Sequence, residues 1–216
     1  MAADIAELLS HGGAGRVVGV GHDWGAFLLS RLANYYPSLV SKLMFLDTGY
    51  TAPGTSLSFS NIKLIDFMVQ QQLKYAVFGY FLFFDEHGAA ALMNPNVESV
   101  ESLFHSRDEE VIRGIWAPKM GFGRGWRADQ AEFRKQAQLH NINAADEADR
   151  NKEIKQPTLL ITTQNPISVS ADFPAQMKPY MRNLEVVSGV EAGHWAMLEA
   201  PDETNGILQR FLDRDS

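Results

Sequence analysis

The sequence predicts an α/β protein: a mostly parallel sheet of about four strands, with a helical lid inserted between its two halves. Three observations carry this. Short valine- and leucine-rich runs alternate with amphipathic helical segments at both ends of the chain, the signature of parallel strands joined by helices. A long aromatic-rich stretch with helical but no strand character separates them. The strand pattern then resumes at TLLITT.

The elements follow in order. Residues 3–10, ADIAELLS, read as an amphipathic helix closed by the glycine-rich HGGAG at 11–15. Arg16–Gly21, RVVGVG, suits a buried strand. It runs without a linker into HDWGAFLLSRLANYYP, a helix that stops before Pro37. Lys42–Asp47, KLMFLD, is the next strand. Residues 1–50 thus form the first part of the core, 51–155 the helical lid and 156–216 the C-terminal part of the core. In the last part a strand at Thr158–Thr163, a helix near Asp172–Met181, a strand at Leu184–Val187 and a helix at Asp202–Leu212 are expected.

Composition excludes several classes. The 216 residues are 45% hydrophobic and 21% charged, with mean hydropathy −0.17, a balance that suits a folded core. A net charge of −7, with scattered lysines and arginines, argues against nucleic acid or an anionic membrane as partner. Without cysteine there is no disulfide, no thiol nucleophile and no thiolate metal site. No stretch reaches the ~20 apolar residues that span a bilayer, and a cytoplasmic location is the expectation.

The strongest chemical signal is Gly21-His22-Asp23-Trp24-Gly25, a G-x-nucleophile-x-G turn between a strand and a helix. Such a turn lifts the central side chain above the sheet and aims it at the amides of the helix N-terminus, where an anion is favoured. Glycines are expected on both sides because a β-carbon at either would collide with backbone. An aspartate there attacks carbon and forms an alkyl ester that water must cleave. Asp23 can also be read as a plain helix cap. Trp24 and His22 are the flanking candidates for oxyanion or pocket roles, the Trp24 amide as donor and its indole as pocket wall.

A base is expected in VEAGHWAMLEAPDE, where His194 lies in a loop after the last strand. Parallel strands present their C-terminal ends on one face, so this loop can reach Asp23, and His194 would activate the hydrolytic water. The other five histidines, His11, His22, His87, His105 and His140, sit at turn or helix positions that do not suit a base. An orienting acid is expected just after TLLITT, but Gln164-Asn165-Pro166-Ile167 stands there. Asn165 can hold a tautomer by hydrogen bonding, and Asp47 ends a strand on the same face. Both remain candidates.

VGVGHDWGA, LMFLDTGYTAP, FGYFLFFDEHGAA and AGHWAMLEAPDE resemble soluble epoxide hydrolases, over about Asp4 to Leu212. The resemblance implies a partial α/β-hydrolase fold and opening of a small apolar epoxide by water to a vicinal diol, with no cofactor. It assigns Asp23 as nucleophile, His194 as base and Tyr80 as the lid proton donor. Three departures stand out. Phe133–His140 lacks the second lid tyrosine, Asn165 replaces the acid, and a single helix precedes the elbow strand. The HGG at 11–13 enters that strand from the wrong end to replace the family's HG-x-P oxyanion loop, and is read as a helix C-cap. On this reading RVVGVG becomes an exposed apolar edge that favours self-association, and turnover is expected to be weak or nil. The alternatives are dehalogenation by the same aspartate, with a tryptophan holding halide, and a truncated, non-catalytic family member. Tyr80 favours the epoxide, whose oxygen needs a proton.

Overall fold

A computed structural model of the chain describes residues 1–55, 59–74, 78, 88, 91, 94–96 and 144–214. It divides into two compact units, Met1–Thr55 with Glu147–Ser216, and Ser56–Asp146.

The first unit opens with α1 (Ala2–His11). Its end is a Schellman motif: Gly13, at φ 63, turns the chain so that Ala14 N–H reaches the Leu9 carbonyl and Gly13 N–H that of Ser10. This is the C-cap expected of HGG. Although its pattern is amphipathic, α1 buries no residue fully, and Leu8 is 65% exposed. The strands are β1 (Val17–His22), β2 (Val40–Leu46), β3 (Thr158–Thr163) and β4 (Leu184–Val190), and α2 (Trp24–Tyr35) joins the first two. Spatial order follows sequence order, β1-β2-β3-β4, and every pairing is parallel.

The burial pattern explains the sequence pattern. Along β2, Leu43 and Phe45 join a core with Leu29 and Leu32 of α2, while Met44 and Leu46 point into a second core on the opposite face. The second core is built with Ile207 and Phe211 of α7 (Pro201–Leu212). Covered on both faces, β2 and β3 read as continuous apolar runs. β1, an apolar run of the kind that suits a buried strand but expected here at an exposed edge, does lie at the sheet's edge, with Val18 and Val20 39% and 55% exposed. At the far end of the sheet Lys42 Nζ donates to the carbonyls of Phe211, Leu212 and Arg214, capping the C-terminus of α7.

The helix predicted near Asp172–Met181 is two short ones, α4 (Pro166–Ala171) and α5 (Phe173–Met177). Asp172 separates them at φ 46, a left-handed conformation that aspartate tolerates, and its carboxylate caps α5 through Ala175 N–H. A further short helix, α6 (Ala196–Glu199), precedes α7.

In the second unit the described residues form α3 (Phe59–Leu73) and a 3-10 turn at Asn94–Asn96. Asp66 Oδ1 accepts the Phe78 amide at 2.8 Å. VESVESLF, DEEVIRGIWA and FRKQAQLH, segments expected to belong to a lid, lie outside the described residues, as does Tyr80. Among the described residues no helix is long and apolar enough to cross a membrane.

Candidate active site

The C-terminal ends of all four strands open onto one edge of the sheet, and the polar residues of the site stand there. β1 ends at His22, and Asp23 makes the turn into α2 at φ 51, ψ −123, a strained conformation for a residue with a β-carbon. The turn is tight. A β-carbon on Gly21 would lie 2.8 Å from Ala26 Cα and 2.8 Å from the Gly25 carbonyl oxygen, both backbone atoms that cannot step aside. Gly25 differs from expectation: among the described residues nothing lies within 4 Å of a β-carbon built there, so no collision requires that glycine.

Asp23 does not cap α2 in the ordinary way. A capping carboxylate accepts from the second or third helical amide. Here Oδ1 accepts the very next amide, that of Trp24, at 2.6 Å, while the Asp23 carbonyl takes those of Ala26 and Phe27. The carboxylate is thus left at the surface of the turn, 36% exposed. Its other oxygen, Oδ2, is 2.9 Å from His194 Nε2.

The opposite edge of the His194 ring meets Asp47. Nδ1 lies 2.7 Å from Asp47 Oδ2, and the Asp47 side chain is 1% exposed. Asp47 directly follows β2 at φ 56. The buried Thr163 hydroxyl donates to its Oδ1 at 2.7 Å, and the Asn165 side-chain amide donates to its Oδ2 at 2.7 Å. The two candidates for orienting the histidine therefore hold different places: Asp47 touches His194, and Asn165 touches Asp47. Asn165 also caps α4, its Oδ1 accepting Ile167 N–H at 3.1 Å.

His22 is set against the same histidine, which its position in sequence did not suggest. Its Nε2–H donates to the His194 carbonyl at 2.9 Å, with ring centroids 4.4 Å apart, and Trp195 lies 4.9 Å on another side. The bond goes to a backbone carbonyl and not toward Asp23, so an oxyanion role for His22 is not what this contact serves. The Trp24 indole is 49% exposed.

The electrostatics follow from these contacts. Burial works to raise the Asp23 carboxyl, but the His194 hydrogen bond and charge, with the Trp24 amide, outweigh it and hold the group below its ordinary value. Burial likewise disfavours a charged His194, yet hydrogen bonds and charge from Asp23 and Asp47 raise it to about 9. Burial and the neighbouring His194 push His22 down, against its bond to the His194 carbonyl and the two aspartates. At neutral pH an imidazolium thus bridges two carboxylates, beside a neutral histidine. Among the described residues no group of histidines and carboxylates is placed to hold a metal ion.

A strained aspartate at a strand-to-helix turn, joined through a histidine to a buried second aspartate, has the geometry of a nucleophile elbow on an open parallel sheet. The chain belongs to the alpha/beta hydrolase family, which it matches over residues 1–207. It is similar to bifunctional epoxide hydrolase 2 of Sus scrofa, at 23% identity over 99% of this chain and 42% of that protein. Epoxide hydrolase 4 of Mus musculus is 22% identical, over 99% of this chain and 58% of that one. The chain thus spans about half the length of the curated relatives it matches. Among solved structures, an epoxide hydrolase from Vigna radiata superposes with a TM-score of 0.66 at 20% identity, covering 98% of this chain and 73% of that one. One from Bacillus megaterium gives 0.64 at 20%, over 99% and 75%. At these identities the superpositions show the fold.

Proposed function

We propose that this chain opens an epoxide to a vicinal diol through an ester on Asp23. The observation that carries the reading is the continuous contact from Asp23 Oδ2 through His194 to Asp47, at 2.9 and 2.7 Å. The names of the similar proteins support the choice of an epoxide.

In this reading Asp23 attacks an epoxide carbon, the carbon–oxygen bond of the ring breaks, and the released alkoxide takes a proton from Tyr80. Esterification removes the carboxylate charge that held a proton on His194. The ring's proton affinity then falls, its proton passes through water to restore the Tyr80 hydroxyl, and the ring becomes a free base. Its Nε2 takes a proton from water, the hydroxide adds to Asp23 Cγ, and the Trp24 amide stabilises the oxyanion at Oδ1. The ester bond breaks as the imidazolium gives its proton to the departing diol oxygen, the new Asp23 acid passes its proton to His194, and the diol leaves with one water consumed. Asp47 holds the imidazole in the orientation that aims Nε2 at Asp23 and balances its charge while it carries the proton. Thr163 and Asn165 hold Asp47. Among the described residues Trp24 is the one amide donor on Oδ1. Each amide donor of this kind is worth about 10²–10³ in kcat.

Mass spectrometry after brief incubation with styrene oxide tests the reading. An adduct on the peptide bearing Asp23 is expected, more of it in His194→Gln, and none in Asp23→Ala. An adduct that survives Asp23→Ala, or none in either active-site form, overturns it. Halide release from a haloalkane, with no attack on styrene oxide, transfers the same nucleophile to dehalogenation.

A further inference from the structure

The loop that carries His194 is held by more than the contacts of its ring. Glu199, the last residue of α6, turns its carboxylate back under that loop. Oε2 accepts the Gly193 amide at 2.8 Å and Oε1 accepts the Trp195 amide at 3.1 Å. One carboxylate thus binds the backbone on both sides of His194. A Glu in the first turn of a helix usually reaches back to the amide of the N-cap residue alone. Here the N-cap is Trp195, and Glu199, one position beyond the usual one, takes the amide two residues earlier as well. Space for this exists because residue 193 is glycine: a β-carbon there would sit 3.2 and 3.3 Å from the two Glu199 oxygens. His22 completes the arrangement by donating to the carbonyl of His194 itself.

From this we infer that Glu199 is a positioning residue for the base. By gripping the amides of residues 193 and 195, it fixes the backbone from which the His194 ring spans the gap between Asp23 and Asp47. The inference rests on the reading of His194 as base. Two charge-accepting contacts of 2.9 and 2.7 Å on opposite edges of one ring leave little tolerance in where its Cα stands. Hydrogen bonds to a charged acceptor are the stronger kind, and two from one rigid carboxylate restrain a loop in both position and twist. The carboxylate itself touches none of the reacting atoms, so its effect must pass through the imidazole.

Two variants test this, Glu199→Gln and Gly193→Ala. The glutamine keeps the size but offers one acceptor oxygen, and turns an amide donor toward the other backbone N–H. The alanine leaves Glu199 in place and pushes its carboxylate away. In each, NMR titration of the His194 ring is expected to show its midpoint drop from about 9 toward its ordinary 6.5, by about one pH unit or more, as its contacts with both aspartates loosen. With styrene oxide as probe, breakdown of the Asp23 ester is expected to slow at least ~10-fold, with ester formation changed less, so that adduct accumulates. A purely structural role would lower the thermal midpoint and leave titration and the ratio of the two steps where they were. That result in both variants would overturn the inference. The titration needs no substrate and decides the positioning role alone. His194→Gln, run alongside, decides the base: if it accumulates ester and the Glu199 and Gly193 variants do not, the base stands and the clamp falls.

Discussion

Replacing Asp23 with asparagine keeps the shape of the elbow while removing one of the two charges that hold a proton on His194. The raised affinity of that ring, about 9 against 6.5, corresponds to about 3 kcal/mol favouring imidazolium over imidazole. The side chain is 30% exposed, so solvent screening trims this to about 2–3 kcal/mol. The two carboxylates lie at nearly equal distances, 2.9 and 2.7 Å, so each supplies a comparable share, and the burial that opposes charge is untouched by the substitution. Losing one share while burial still opposes the charge removes more than half of the net rise, so the midpoint of His194 in Asp23→Asn is expected to fall from about 9 to near its ordinary value.

NMR titration of the ring protons measures this directly, with His194→Gln identifying the resonance among the six histidines. Asp23→Asn also stands in for the esterified enzyme, since both carry a neutral group at residue 23. A midpoint that stayed at about 9 would show that Asp23 does not hold the proton, and that forming the ester cannot release the base.

Three further outcomes follow from the same structure. Because the folded-state affinity of His194 lies above its unfolded one, its stabilisation is complete below about pH 6.5 and lost as pH rises through about 9. Urea unfolding should show that decline, about 2–3 kcal/mol in all, and His194→Gln should flatten it. Arg31 and Glu147 form an ion pair at 2.9 Å with side chains 8% and 4% exposed, and Glu147 also accepts the Tyr35 hydroxyl at 2.6 Å. Arg31→Met should cost about 3–5 kcal/mol by leaving a buried carboxylate unpaired, and Arg31→Met with Glu147→Leu should recover most of it; thermal denaturation compares them. At the elbow, Gly21→Ala should abolish ester formation and destabilise the fold, whereas Gly25→Ala, inside α2 and free of any clash among the described residues, should raise stability by about 0.5–1 kcal/mol. Chemical denaturation of the pair separates the two glycines.

What could be read from the sequence is what local chemistry determines. Four strands, the turn at Asp23 and the loop of His194 announce themselves through apolar runs and the glycines beside them. The symmetrical demand on Gly21 and Gly25 did not hold, because Gly21 sits in the strand with α2 backbone pressed against it while Gly25 has already entered the helix. The split of one expected helix into α4 and α5 turned on a left-handed Asp172, which no periodicity reports. The roles of Glu199 and His22 were hidden because both act on backbone atoms of residues 193–195, and a backbone amide leaves no mark in the pattern of side chains. A glycine directly before a loop histidine, followed six positions on by a glutamate, is the one local hint.

The acid on His194 shows how two neighbouring strand ends share one task. β2 and β3 are neighbours, with Leu46 registered against Ile161, so a carboxylate at the end of either can approach the same imidazole. Here Asp47 of the first holds the ring, and Asn165, at the end of the second, supplies an amide to it at 2.7 Å. Placing an acid at 165 by Asn165→Asp is therefore expected to harm the site. Two carboxylates at that separation cannot both be ionised, so one takes a proton at neutral pH or swings away, carrying Asp47 off His194. Loss of ester breakdown with styrene oxide, and a fold that weakens as pH rises, should follow. Adding Asp47→Asn to that variant exchanges the two groups and should recover most of the lost rate, because one charge again faces the ring with one amide behind it. A single Asn165→Asp variant faster than the parent would show that the two strand ends act independently, and that Asp47 does not depend on its partner at 165.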